Sequence, residues 1–118
     1  MNRQINPKSI TPPAGNQSHA VLTEAASRWL HTSGVGPARP DGSAPGGIGE
    51  QADLVWANIG AVLSQAGMRP ADIVSVTTYV VEGEPLDPVT AARDRFMGGR
   101  KTASTVVSVP SLEQSAWK

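Results

Sequence analysis

The chain contains no cysteine, which excludes disulfides, thiol nucleophiles and thiolate-ligated metals. Aromatic residues make up only 4% of it, too few for the stacking platforms on which single-stranded nucleic acids are held. Ten basic residues balance ten acidic ones, so no net field draws the protein to a polyanion or an anionic membrane surface. It also lacks an apolar run long enough to cross a bilayer. The first ten residues, Met1 to Ile10, have no apolar signal-peptide centre, and the expectation is a cytoplasmic protein without nucleic-acid or membrane partners. A length of 118 residues suits a single domain spanning 1–118 with one modest core. So small a domain keeps much surface exposed, which makes self-association plausible.

What the chain does have is one strongly periodic segment between strand-like runs. Ile48, Ala52, Val55, Ile59, Val62, Leu63 and Ala66 recur at three- and four-residue intervals and predict a helix over 48–66 with one apolar stripe. Such a helix is roughly 28 Å long. Glu50 and Asp53 suit its positive end, Gly67 is a natural residue just past its end, and Pro70 prevents continuation. Trp56 lies about one position off the stripe, facing a neighbouring subunit or flanking the core.

Before this helix, Asn2–Ile10, Ser18–Ala25 and Arg28–Ser33 read as three strands. In the last of these, Trp29 and His31 share one face. Pro37, Pro40, Asp41-Gly42, Pro45 and Gly46-Gly47 form an extended loop. After the helix, Ile73–Val81 is rich in Val, Thr, Ile and Tyr and reads as a strand. Asp87 and Pro88 suit the N-cap and first position of a second helix, with Val89, Ala92 and Phe96 inward and Gly98-Gly99 at its end. Thr102–Val109 reads as the last strand. The order is three strands, helix, strand, helix, strand: an α+β layer with helices packed on one sheet.

Several short matches then fall in one order. Ser33-Gly34 precedes a Pro-Asp-Gly loop. Gln51 and Asn58-Ile59 lie in the first helix, which ends at Ala66-Gly67. Asp72-Ile73-Val74 enters the next strand, Arg93-Asp94-Arg95-Phe96 lies in the second helix, and Ala103-Ser104-Thr105 opens the last strand. Together, over nearly the whole chain, they resemble the RidA/YjgF family, also called endoribonuclease L-PSP. The resemblance implies a chorismate-mutase-like α+β fold, a mixed sheet with two helices on one face, and a homotrimer with small-molecule clefts between subunits. It also implies hydrolysis of reactive enamines or imines to ammonia and a 2-oxo acid.

That chemistry needs a cation for the substrate carboxylate and a way to bring protons and water to the imine carbon. Active family members place an arginine in a Pro-Ala-Arg-Ser pattern. Here the pattern reads Thr102-Ala103-Ser104-Thr105, and a hydroxyl cannot replace a guanidinium fork. Losing such a charge-assisted pair costs about 2–5 kcal/mol, a weakening of roughly 30- to several-thousand-fold. Gln17 replaces a frequent tyrosine, and Thr90 replaces an asparagine of the second helix. The family continues beyond Trp117-Lys118 with a Val-Glu-Ile-Glu type strand bearing a pocket glutamate, so a further C-terminal strand is expected outside these 118 residues.

The candidate ligand-binding set is Ser33, Gly34, Ser104, Thr105, Gln17 and Thr90, with no catalytic residue assigned. Ser33 and Gly34 can equally be an ordinary strand end, and Ser104 and Thr105 plain strand residues. Arg93, Arg95, Arg100 and Lys101 offer a substitute cation, although their spacing better suits a solvated helix face and partners of the helix dipole. His19 and His31 lack the neighbours a metal needs, and no metal or cofactor is expected. Gly46-Gly47-Ile48-Gly49 opens a helix but lacks the Gly-Lys-Ser/Thr ending of a phosphate loop.

Two functions of different class remain open: a deaminase-like hydrolase lacking the usual arginine, and a non-catalytic protein that binds a small metabolite. Ribonuclease or translation-inhibitor activity, which rests on the old family label, is disfavoured by the charge balance and the low aromatic content.

Overall fold

A computed structural model describes residues 2–13, 15 and 17–118. The elements in order are β1 (Asn2–Ile5), β2 (Ala20–Thr23), α1 (Ile48–Gln65), a 3-10 turn (Pro70–Asp72), β3 (Ser75–Val81), α2 (Asp87–Met97) and β4 (Ala103–Val109). The chain has an α+β fold.

Helix α1 forms where the apolar stripe demands it, and its end is set by local chemistry. Gly67 takes a left-handed φ of 71°. This lets its N–H bond Ser64 O while the N–H of Met68 bonds Leu63 O, the paired pattern of a Schellman stop. Helix α2 stops at Gly98, with φ 61° and its N–H on Asp94 O, the single-bond left-handed stop. At its other end the helix includes Asp87 itself, so Asp87 is the first helical residue rather than the cap. The Thr90 hydroxyl caps its carbonyl at 3.1 Å.

β3 and β4 pair in parallel from Ser75↔Ala103 to Val81↔Val109, joined by α2 as a β–α–β unit. Alternation turns Val76, Thr78 and Val80 toward the helices and leaves Ser75, Thr77 and Tyr79 exposed. α1 and α2 cover the inner face. There Ala52, Trp56 and Ala92 form the buried centre, with Ile59, Ile73, Val76 and Phe96 packed around it. Trp56 thus belongs to the core, not to a subunit boundary. Its ring stacks on Phe96 with centroids 4.9 Å apart, made possible by Gly60, where an added Cβ would stand 3.2 Å from the Phe96 ring.

The first third departs most from the sequence reading. β1 and β2 are four-residue antiparallel strands in register Asn2↔Thr23 to Ile5↔Ala20. β2 ends before Ala25, whose φ of 55° leaves the extended region. Arg28–Ser33 is not a strand. Among the described residues no neighbouring strand offers it a ladder. It is pinned instead by Arg28, whose Nη1 donates to Ala66 O at the carbonyl end of α1.

Two side chains of α1 hold the remaining loops. Asn58 Nδ2 donates to Gly36 O and Ala38 O, both at 3.1 Å. Buried Gln51 donates to Pro45 O and Ala116 O and accepts from the Lys118 N–H. Lys118 O in turn accepts from the Val81 N–H beyond the β4-bonded edge of β3. Gln51 and Asn58 are therefore anchors of backbone. None of the helices among the described residues is long and apolar enough to cross a membrane.

Candidate functional site

Polar groups converge where the start of β4 meets α2. Ser104 lies on the same face of β4 as Val106, toward the helices, while Thr105 points to the opposite, exposed face. From α2, Arg93 reaches down to the strand. Its Nη1 donates to Ser104 Oγ at 3.3 Å, and its Nε donates to Asp94 Oδ1 at 3.1 Å. The Arg93 side chain is only 9% exposed, and it is the one charged residue among the buried described residues. The sequence reading placed it on a solvated face. The structure corrects this: Arg93 follows Ala92, which is 1% exposed at the centre of the core, so the helix turns its guanidinium inward at the sheet edge.

The third wall is the segment before β2. Ser18 pairs with Ala103, and its N–H donates to Thr102 O at 3.0 Å. This sets half-buried Gln17 beside the strand start. An added Cβ at Gly15 would lie 4.0 Å from Arg93 Nη2, so Gly15 lies beside the guanidinium. The Ser18 hydroxyl is buried without a partner among the described residues. Thr102, also buried, spends its hydroxyl on Ile73 O and Val74 O.

The six candidate residues do not gather at one point. Gln17 and Ser104 border the Arg93 corner. Thr90 lies one turn earlier on α2 and bonds locally. Ser33 and Gly34 line a separate groove of about 1150 Å³ between the Arg28–Gly36 segment, α1 and β3, whose lining includes none of Gln17, Thr90, Ser104 or Thr105. Sequence reasoning weighed Arg93 and set it aside. The signal that could have kept it was its place directly after a core alanine.

Arg95 makes a surface ion pair with Asp53 at 2.8 Å, both more than half exposed, and Arg100 bonds Met97 O. Neither reaches Ser104 in the bonds they form. His19 sits with Nε2 2.6 Å from Thr11 O. No group of three metal-ligating residues occurs among the described residues.

The family model described as endoribonuclease L-PSP matches residues 8–118. The chain belongs to that family. A Rid-family protein of unknown function from Yersinia pestis, YyfB, is 32% identical and superposes with a TM-score of 0.86, over 98% of this chain and 91% of that one. A second Yersinia pestis Rid protein, YyfA, shares 27% identity at a TM-score of 0.69, with coverage of 98% and 91%. A putative endoribonuclease from Thermotoga maritima shares 26% at 0.68, with 96% and 88% covered. Among curated proteins none matches. Within the L-PSP family the helix pair and the β3–α2–β4 unit described above therefore form the shared scaffold on which the Arg93 corner is built.

Proposed function

We propose that this Rid-family protein binds a small polar metabolite at the Ser104 corner and hydrolyses an enamine or imine there, within a homotrimer. The observation that carries the reading is the Arg93 guanidinium, nearly buried beside the strand and donating to the neutral Ser104 hydroxyl. A cation held there against a neutral partner is suited to a polar ligand that brings further acceptors.

The chemistry is the addition of water to a C=N bond. A protonated imine accepts water at carbon, the resulting carbinolamine loses ammonia, and a carbonyl remains. The corner's part is to orient the substrate and hold its charge while water adds.

Assembly is supported by the open face of the β3–β4 unit. Tyr79 and Val107 are register partners there, and both are exposed large apolar residues. An apolar pair on an uncovered sheet face suits burial against another copy.

The test is ammonia release from freshly generated imines of several kinds, compared with a boiled-protein control. Acceleration supports the reading, and none across all imines sinks it. A second reading, ligand sequestration without turnover, is favoured by the absence of a histidine or a free carboxylate among the described residues of the corner, since Asp94 already pairs with Arg93. Saturable binding without ammonia release would select it.

A further inference from the structure

We infer that the Asp41-Gly42 peptide is a spontaneous modification site of this chain, a point of aspartate isomerisation that the folded turn holds shut. The reaction needs only water and the chain itself, and it is independent of the hydrolase reading.

The chain contains one Asp-Gly pair and no Asn-Gly pair. In an Asp-Gly pair the amide nitrogen that follows attacks the side-chain carboxyl carbon with no Cβ in its path. A bond forms between Gly42 N and Asp41 Cγ, the amide hydrogen and the carboxyl hydroxyl leave as water, and a five-membered imide remains. Water then opens the ring at either carbonyl. One opening returns aspartate. The other leaves isoaspartate, whose main chain runs through Cγ and is one atom longer.

Asp41, Gly42 and Ser43 are all exposed, so water reaches the pair. What restrains it is hydrogen bonding. Gly42 N–H donates to Arg39 O at 2.8 Å, and Arg39 N–H donates to Ser43 O at 2.8 Å. These bonds close a tight turn, with Pro40 where its fixed φ suits one and Gly42 at φ 88°. The attacking nitrogen is thus the donor of the turn's own bond, and rotation toward Cγ breaks that bond.

The carboxylate is held as well. Asp41 Oδ1 accepts from the Ser43 N–H at 2.9 Å and from the Ser43 hydroxyl at 2.7 Å. Arg39 Nη1 donates to the same hydroxyl oxygen at 3.0 Å. These donors favour the ionised carboxyl, and an anion is a poor target because oxide would have to leave. Both partners of the ring closure are therefore occupied by bonds that only the folded turn makes. Just before the turn, Gly36 O and Ala38 O are the carbonyls that Asn58 holds. A backbone lengthened between 41 and 42 breaks the Arg39–Ser43 closure beside that anchor.

The test ages the whole native chain in heavy-oxygen water, beside the same chain unfolded in urea. Each ring opening adds one heavy oxygen at Asp41, read by peptide mapping. Isoaspartate is counted by the resistance of the Pro40–Asp41 bond to an aspartate-directed endoprotease. Label at Asp41 should accumulate at least about tenfold more slowly in the native chain than in urea, because the turn must open first. Ser43→Ala should speed the native reaction several-fold and leave the rate in urea unchanged. Asp53, Asp72 and Asp94, none followed by glycine, should take up little label in either state.

Equal wild-type rates in the two states overturn the inference, because the fold then holds nothing shut. So does a native Ser43→Ala chain that ages no faster than wild type, or label that gathers at another aspartate before Asp41. Should Ser43→Ala not fold, the native-against-urea comparison of the wild type decides alone.

Discussion

The indole of Trp117 occupies the space that a side chain on Gly36 would need. The two residues come from opposite parts of the chain and meet beside α1, where Asn58 holds Gly36 O and Gln51 holds the backbone on both sides of Trp117. Gly36 has no unusual φ, so its requirement is one of space. Gly36→Ala should cost about 1–3 kcal/mol through overpacking. The penalty should shrink in a background of Trp117→Ala. Urea unfolding of the four members of that cycle reads the coupling directly, and additive effects would contradict the contact.

Gln51→Leu should be among the more damaging helix substitutions. Gln51 is 2% exposed and satisfies two carbonyls and one N–H. Removing it strands buried backbone groups at about 1–3 kcal/mol each. The urea midpoint should fall with little change in slope, and amide exchange at Lys118 should accelerate first.

Trp56→Ala should cost about 3–5 kcal/mol, a large share of the stability of a domain this size. Phe96 would lose its stacked partner, and the near-ultraviolet dichroism of the core should collapse with it. A mild effect would place Trp56 outside the core.

The elements governed by local rules were legible in the sequence. The α1 stripe, the glycine stops at Gly67 and Gly98 and the β-branched run of β3 each arise from a few adjacent residues, and the structure has them within a few positions. Arg28–Ser33 has strand-like alternation, but a strand exists only when another backbone lies beside it, and that is not encoded in its own six residues. The sequence leaves Trp56 undecided between a neighbouring subunit and the flank of the core, because a one-position offset on a helix, about 100°, still leaves an indole long enough to reach the core. At the site, the sequence shows that Thr102–Thr105 carries no arginine. It does not show the approach of a guanidinium from α2, because that depends on how the helix is rotated over the sheet. Within one chain the six candidate residues lie on separate surfaces, and likeness of motif alone does not say which cavity each one faces.

Asp41 offers a pH test remote from the site. The Ser43 hydroxyl and then the Ser43 N–H, both on Oδ1, with a smaller contribution from nearby Arg39, hold its carboxyl below the ordinary value of 3.8. The folded value is the lower one, so this turn's contribution is present above the unfolded value and is lost as pH falls through the depressed one. Ser43→Ala should move the Asp41 midpoint upward in a carboxyl 13C titration. An unmoved midpoint would mean the hydroxyl does not act on it.

Tyr79→Glu should disrupt assembly, because it places a charge on the open sheet face opposite Val107. Light scattering after size exclusion should show a trimer for the wild type and smaller species for the variant. A wild-type monomer would remove the subunit-boundary part of the proposal.

Since the positive charge beside Ser104 travels on a helix, eleven positions earlier in the chain, the strand and the cation are separable in evolution. Sorting relatives by the strand tetrapeptide alone would then file some charged corners as neutral. Two family members with different residues at the strand could present the same electrostatic face to a ligand, and the helix position is where that kinship should be sought.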